Sequence, residues 1–204
     1  GDAYVGMDNG DCDYTIIGSA YDATSTSPAA TLTHNYGSGG STLAGTNIPV
    51  GTHYITWTAT QTIGSTTYET DCSFYLTVYD NQNPTITAPD DIIVNTNSGC
   101  YANGVNLGTP TTNDNCGVSS TWNNASSNFY IGTTPVTWWV YDTHGNITST
   151  VQNVTVLDDD APSVSCVGDV CREADDPSAT HYSVNGAELD QFSYSDCSSV
   201  TVTN

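Results

Sequence analysis

The sequence predicts an all-β protein made of tandem Greek-key β-sandwich repeats of about 80 residues, the last one incomplete. Three observations lead there. Of 22 acidic residues 19 are Asp and only three are Glu, and Asp together with Asn favours turns and caps over helix interiors. Thr, Ser, Tyr, Val and Gly dominate the remainder, which suits short pleated strands joined by tight turns. The third observation is an internal repeat, which also sets the boundaries.

Val78 to Ile86, "VYDNQNPTI", returns 78 residues later as Val156 to Val164, "VLDDDAPSV", with Pro84 on Pro162. Each copy follows an alternating apolar stretch, "CSFYLTVYD" from Cys72 and "TVQNVTVLD" from Thr150, in which Leu76 and Val78, or Val154 and Val156, share a face. Each stretch therefore reads as the last strand of a repeat running into a linker. A second match lays "IPVGTHYITWTAT" (Ile48 to Thr60) over "FYIGTTPVTWWVY" (Phe129 to Tyr141) at an offset of 81, with Gly51 on Gly132 and Trp57 on Trp138. Alternation sends Ile55, Trp57 and Ala59 to one face, as it does Val136, Trp138 and Val140; these are the predicted core faces. The opposite face carries Thr56, Thr58 and Thr60 in the first copy but Thr137, Trp139 and Tyr141 in the second. Trp139 and Tyr141 are thus a candidate exposed pair for a glycan or a protein partner, with packing against a neighbouring loop or repeat as the competing reading.

The repeats run 1–80, 81–158 and 159–204. About seven short strands and turns such as "HGN" (His144 to Asn146) fit a sandwich of immunoglobulin type. The third repeat should lack its last strands and leave an open edge.

Seven cysteines without a C-x-x-C point to an oxidising, extracellular setting. In the repeat register Cys72 falls on Thr150 and Cys166 on Ala88, so the second repeat lacks both members of one staple. It keeps Cys100 and Cys116, expected to close a local loop, and Cys171 with Cys197 is expected to do the same in the third. Cys12 and Cys72 remain and pair by default. Against that, Cys12 aligns with Cys100, which leaves a partner for Cys72 just upstream of Gly1 as the alternative.

Charge narrows the partners. With one Arg, no Lys and a formal charge of -21, nucleic acid and anionic membrane surfaces are excluded as partners, since binding phosphates needs cationic side chains. No apolar run reaches the length of a membrane span. His34, His53, His144 and His181 are scattered outside any catalytic grouping, so no enzyme is expected.

The ordered motifs "TVYDNQNPTITAPDDIIV", "SGC", "NDNC" and "IGTTPVTWWVYDTHGN" resemble the hyalin repeat family in its bacterial form. That resemblance implies immunoglobulin-like modules in tandem within very large secreted surface proteins. The extreme acidity is similar to that of the long gliding-motility adhesins of Bacteroidota. Ala88 and Thr150 depart from the pattern by replacing its usual cysteine pair. The implied role is a non-enzymatic adhesive stalk at the cell surface, whose partners are neighbouring repeats, surface glycans or other copies of the chain. The alternatives are a carbohydrate-binding accessory module of a secreted hydrolase, and a filament subunit completed by strand exchange.

"YDNQNP" and "LDDDAP" are also similar to the calcium-binding linkers of cadherins. Calcium takes six to eight oxygen ligands. At the second linker Asp158, Asp159 and Asp160 are candidates, with help from Asp142, Asp114 or Asp169. At the first, Asp80, Asn81 and Asn83 are candidates, with Asp90, Asp91 or Asp22 nearby. The competing reading makes all of these solvated turn residues.

Overall fold

The computed structural model describes residues 1–161, 163–166 and 192–197. No helix occurs among the described residues, and none is therefore long and apolar enough to cross a membrane. The expected all-β class holds.

The first sheet is built from β1 (Ala3–Gly6), β3 (Thr31–His34), β5 (Gly51–Ile63) and β6 (Thr66–Tyr79), in the order β1-β6-β5-β3. β5 and β6 form a long antiparallel hairpin whose turn carries Gly64 at φ 67°, a left-handed conformation that Gly adopts without steric cost. β1 lies parallel to β6, with Ala3 opposite Leu76 and Val5 opposite Val78. β2 (Asp13–Thr15) and β4 (Asn47–Pro49) pair to form a small second layer.

The same order returns later in the chain. After β7 (Thr85–Thr87) come β8 (Ile92–Asn95), β9 (Tyr101–Asn103), β10 (Thr111–Asn113), β11 (Val118–Asn123), β12 (Asn128–Tyr130), β13 (Gly132–Asp142) and β14 (Ile147–Leu157). They give a four-stranded sheet β11-β13-β14-β8, with β8 parallel to β14, and the pairs β9–β12 and β7–β10. β8, β14, β13 and β11 thus occupy the roles of β1, β6, β5 and β3. β15 (Ser163–Cys166) pairs with β16 (Phe192–Ser195) as β7 does with β10. This is a tandem immunoglobulin-like sandwich architecture.

By packing, the chain divides into two compact units. The first comprises Gly1–Ala88, Pro110–Asn123 and Trp138–Thr150. Its core is Met7, Ile16, Leu43, Ile48, Ile55, Trp57, Leu76 and Val78, all buried. Alternation along β5 puts Ile55 and Trp57 inside as expected, and the Trp57 indole N–H donates to the carbonyl of Tyr21 at 3.0 Å, so its polar atom is not left unpaired. The second unit comprises Pro89–Thr109, Asn124–Thr137 and Val151–Asn204, with Ala102, Phe129, Val136, Val154 and Val156 buried. Gln152 is wholly buried there and donates through Nε2 to the carbonyls of Asp90 (2.7 Å) and Leu107 (3.1 Å), which anchors β14 to the neighbouring segments.

The disulfides differ from the expected local loops. Cys12 bonds Cys116 across a sequence separation of 104, and Cys100 bonds Cys197 across 97. Cys100 and Cys116 are therefore not partners, and neither are Cys12 and Cys72. The reason is positional: Cys116 lies with its Cα 4.9 Å from that of Cys12, within bonding range, while Cys72 is an exposed free thiol on β6 opposite Trp57. Cys197 is taken by Cys100, which removes it as a partner for Cys171; Cys171 itself lies outside the described residues.

Candidate metal centre at the repeat junction

The first compact unit brings together three carboxylates that are far apart in sequence. Asp80 leaves the end of β6, Asp114 follows β10, and Asp142 ends β13. One oxygen from each lies within 4.8 Å of the others. Asp142 is 3% exposed and Asp80 9%, the latter with a fully buried side chain, whereas Asp114 is partly buried.

Each carboxylate is fixed by its local turn. Asp142 opens the "DTHGN" turn between β13 and β14: its Oδ1 accepts the backbone N–H groups of His144 (2.7 Å) and Asn146 (2.9 Å), and its Oδ2 accepts Asn146 Nδ2 (2.7 Å). Burial pushes its carboxyl upward, but these bonds together with one from the Gly145 N–H hold it below the ordinary aspartate value, so it is ionised at neutral pH. Asp114 makes an Asx turn in which Oδ2 accepts the N–H of Cys116 (2.8 Å) and Gly117 (2.9 Å). Its Oδ1 is buried and has no partner. Asp80 accepts the Gln82 N–H on Oδ1 at 3.0 Å, and its Oδ2 lies 3.2 Å from His144 Nδ1.

The staple and the acids form one construction. Cys116, bonded to Cys12, donates its N–H to Asp114, and Asn115 Nδ2 between them donates to the Asp11 carbonyl at 2.7 Å. Gln82, two residues past Asp80, donates from Nε2 to the Asp8 carbonyl and accepts the Gly10 N–H. The loop of residues 8–12 is thereby tied to both the linker and the loop after β10.

The donor set favours a hard cation. An orphaned buried carboxylate oxygen and two nearly buried aspartates, beside a single imidazole, leave negative charge without compensation. A second grouping, Asp80 with His144 and Cys116, cannot act as a thiolate site because the Cys116 sulfur is in the disulfide.

Asp80, Asp114 and Asp142 are thus neighbours, with Asp114 and Asp142 joining the first linker rather than the second, where the sequence placed them. The remaining candidates fall elsewhere. Asn81 and Asn83 are exposed. Asp22 accepts Thr42 Oγ1 and the Leu43 N–H, and Asp91 accepts the N–H and Nδ2 of Asn153, which hold it below the ordinary aspartate value. Asp158 accepts the Asp160 N–H, Asp159 accepts Asn95 Nδ2, and no described carboxylate joins them in a triad. Asp169 lies outside the described residues.

Trp139 stacks on Trp122 of β11, ring centroids 4.1 Å apart and planes within 13°. Trp122 had no signal in the sequence, because its place opposite Trp139 depends on the β11–β13 register. Tyr141 pairs with Ser120 in that register and is partly buried.

The fold these sheets define is a tandem of immunoglobulin-like β-sandwiches. Residues 79–156 match the HYR domain family. Solved structures superpose on the chain only loosely. The chain is similar to protocadherin gammaB7 EC3-6 at 15% identity, covering 80% of this chain and 48% of that one, with a TM-score of 0.35. It is similar to Drosophila N-cadherin EC1-4 at 11% identity, covering 80% and 50%, with a TM-score of 0.32. For protocadherin gamma B2 extracellular cadherin domains 3-6 the identity is 13%, the coverage 67% and 43%, and the TM-score 0.31. The chain spans half or less of each of these structures. No curated protein matches the sequence.

Proposed function

We propose that this chain is a non-enzymatic stalk segment of a large secreted bacterial surface adhesin, of the kind used in gliding. Its repeats, 1–80, 81–158 and the start of a third at 159, act as spacers. Calcium at Asp80, Asp114 and Asp142, next to Cys12–Cys116, stiffens the junction.

The observation that carries this reading is the joining of a linker aspartate to two loop aspartates around an unpartnered buried oxygen. Calcium would supply the missing positive charge, while the backbone N–H groups already bonded to Asp114 and Asp142 hold those carboxylates in place. Restricting the linker would suit a rod that holds a binding tip away from the cell. The stalk role and the gliding context are supported by the hyalin-repeat resemblance and by the acidity of the chain.

Isothermal titration with calcium tests the ion. One site is expected to disappear in Asp80→Asn and in Asp114→Asn but to persist in Asp158→Asn. Calcium at about a hundredfold its dissociation constant should raise the unfolding free energy by about 2.7 kcal/mol over chelated protein. Equal melting temperatures in calcium and in chelator would sink the proposal.

A further inference from the structure

The outward face of the first sheet carries tyrosines that the sandwich does not need. Because Ile55, Leu76 and Val78 point into the core, Tyr54 on β5 and Tyr75 and Tyr79 on β6 point away from it, as does Tyr4 on β1. Tyr4 is 74% exposed, Tyr54 53%, and Tyr75 and Tyr79 49% each. Tyr54 lies directly opposite Tyr75, ring centroids 5.0 Å apart. Tyr4 lies opposite Thr77, between Tyr75 and Tyr79, so the four rings form one patch across three adjacent strands. Hydroxyls fill the gaps: Tyr54 Oη meets Ser73 Oγ at 2.6 Å, and Thr52 Oγ1 meets Thr77 Oγ1 at 3.1 Å.

The second sheet shows that this face is not a packing requirement. In its register Ile93 stands for Tyr4, Asn153 for Tyr75 and Leu157 for Tyr79, while the repeat offset puts Pro135 at Tyr54. None is aromatic.

We propose that the Tyr4, Tyr54, Tyr75 and Tyr79 face binds a neutral polysaccharide chain. Tyrosine rings present flat apolar faces to sugar C–H groups and hydroxyls to sugar hydroxyls. The patch measures about 10 Å across the strands and about 13 Å along them, the scale of a short run of sugar rings. Charge selects among occupants. At -21 the chain repels polyanions and also repels a second copy of itself. The patch holds no acidic side chain at its centre: Asp2 sits at its edge, accepting the Tyr75 N–H, and Asp71 and Glu69 lie farther along β6. A cationic partner would therefore be drawn elsewhere on this chain. The proposal is independent of calcium at the junction.

Affinity electrophoresis in calcium-containing gels cast with hydroxyethylcellulose, laminarin or galactomannan tests it. At least one polymer should retard the wild type. Tyr54→Ala and Tyr75→Ala should each weaken that retardation about tenfold, the order of one ring's stacking, while Ile93→Ala, at an exposed position of the second sheet, leaves it unchanged. Tyr4→Ala, at the most exposed of the four rings, serves as the variant least able to disturb folding. Three outcomes would overturn the proposal: no retardation by any polymer, retardation that the tyrosine variants retain, or tyrosine-dependent self-association in sedimentation, which would make a second copy the occupant.

Discussion

Replacing Cys12 and Cys116 together with Ser removes a bridge that closes a loop of 104 residues. Loop-closure entropy for that length corresponds to about 4.7 kcal/mol at 25 °C, against about 3 kcal/mol for a short local loop such as Cys100 with Cys116 would close. The pairing therefore sets the size of the loss as well as its location. Urea denaturation followed by the fluorescence of buried Trp57 reads the first compact unit. The double variant should lose several kcal/mol, approaching the longer-loop figure, with a lower midpoint. Digestion under non-reducing conditions adds a direct check, since the Cys12 and Cys116 peptides should travel as one species. Recovery of a Cys100–Cys116 species, or a double variant as stable as wild type, would refute the reasoning.

Two further outcomes follow from buried and bonded polar groups. Gln152→Ala should cost about 2–4 kcal/mol in denaturant titrations, because it strips donors from the Asp90 and Leu107 carbonyls inside the second unit; a loss under 0.5 kcal/mol would contradict that role. In chelated protein, carbon-detected NMR titration should place the Asp91 and Asp142 carboxyl midpoints below ordinary aspartate. A carboxyl depressed in the folded state stabilises it above the unfolded value of about 3.9, and that contribution fades as pH falls through the depressed one. Midpoints at or above about 3.9 would reverse the sign.

The fold was legible because strand alternation and repetition are local signals. Ile55 and Trp57, and likewise Val136, Trp138 and Val140, are buried where the period of two puts them. Pairing was harder to read. Cys12 aligns with Cys100 and Cys116 with Cys197, so bridging within a repeat and bridging to the next satisfy the same register, and only the approach of Cys116 to Cys12 distinguishes them. The placement of the acidic cluster was hard to read for the same reason. Asp114 and Asp142 were recognisable as loop acids, but which linker they meet depends on which end of the sandwich their loops occupy. The tyrosine patch was hidden because β1 lies beside β6 in parallel, a pairing that no hairpin announces.

The two bridges interleave along the chain, Cys12 to Cys116 and Cys100 to Cys197. Drawn out from its ends, the polypeptide has a covalent shortcut that runs from Gly1 to Cys12, across to Cys116, back to Cys100 and across again to Cys197. Only those short backbone stretches can pay out as contour length, at roughly 3.3–3.6 Å per residue. The segments 13–99 and 117–196 are slack in that circuit and bear no tension while the bridges last. Oxidised, the chain is wired as a nearly inextensible tether in which the long hairpins β5–β6 and β13–β14 are spared the load; reduced, it lengthens as those hairpins open.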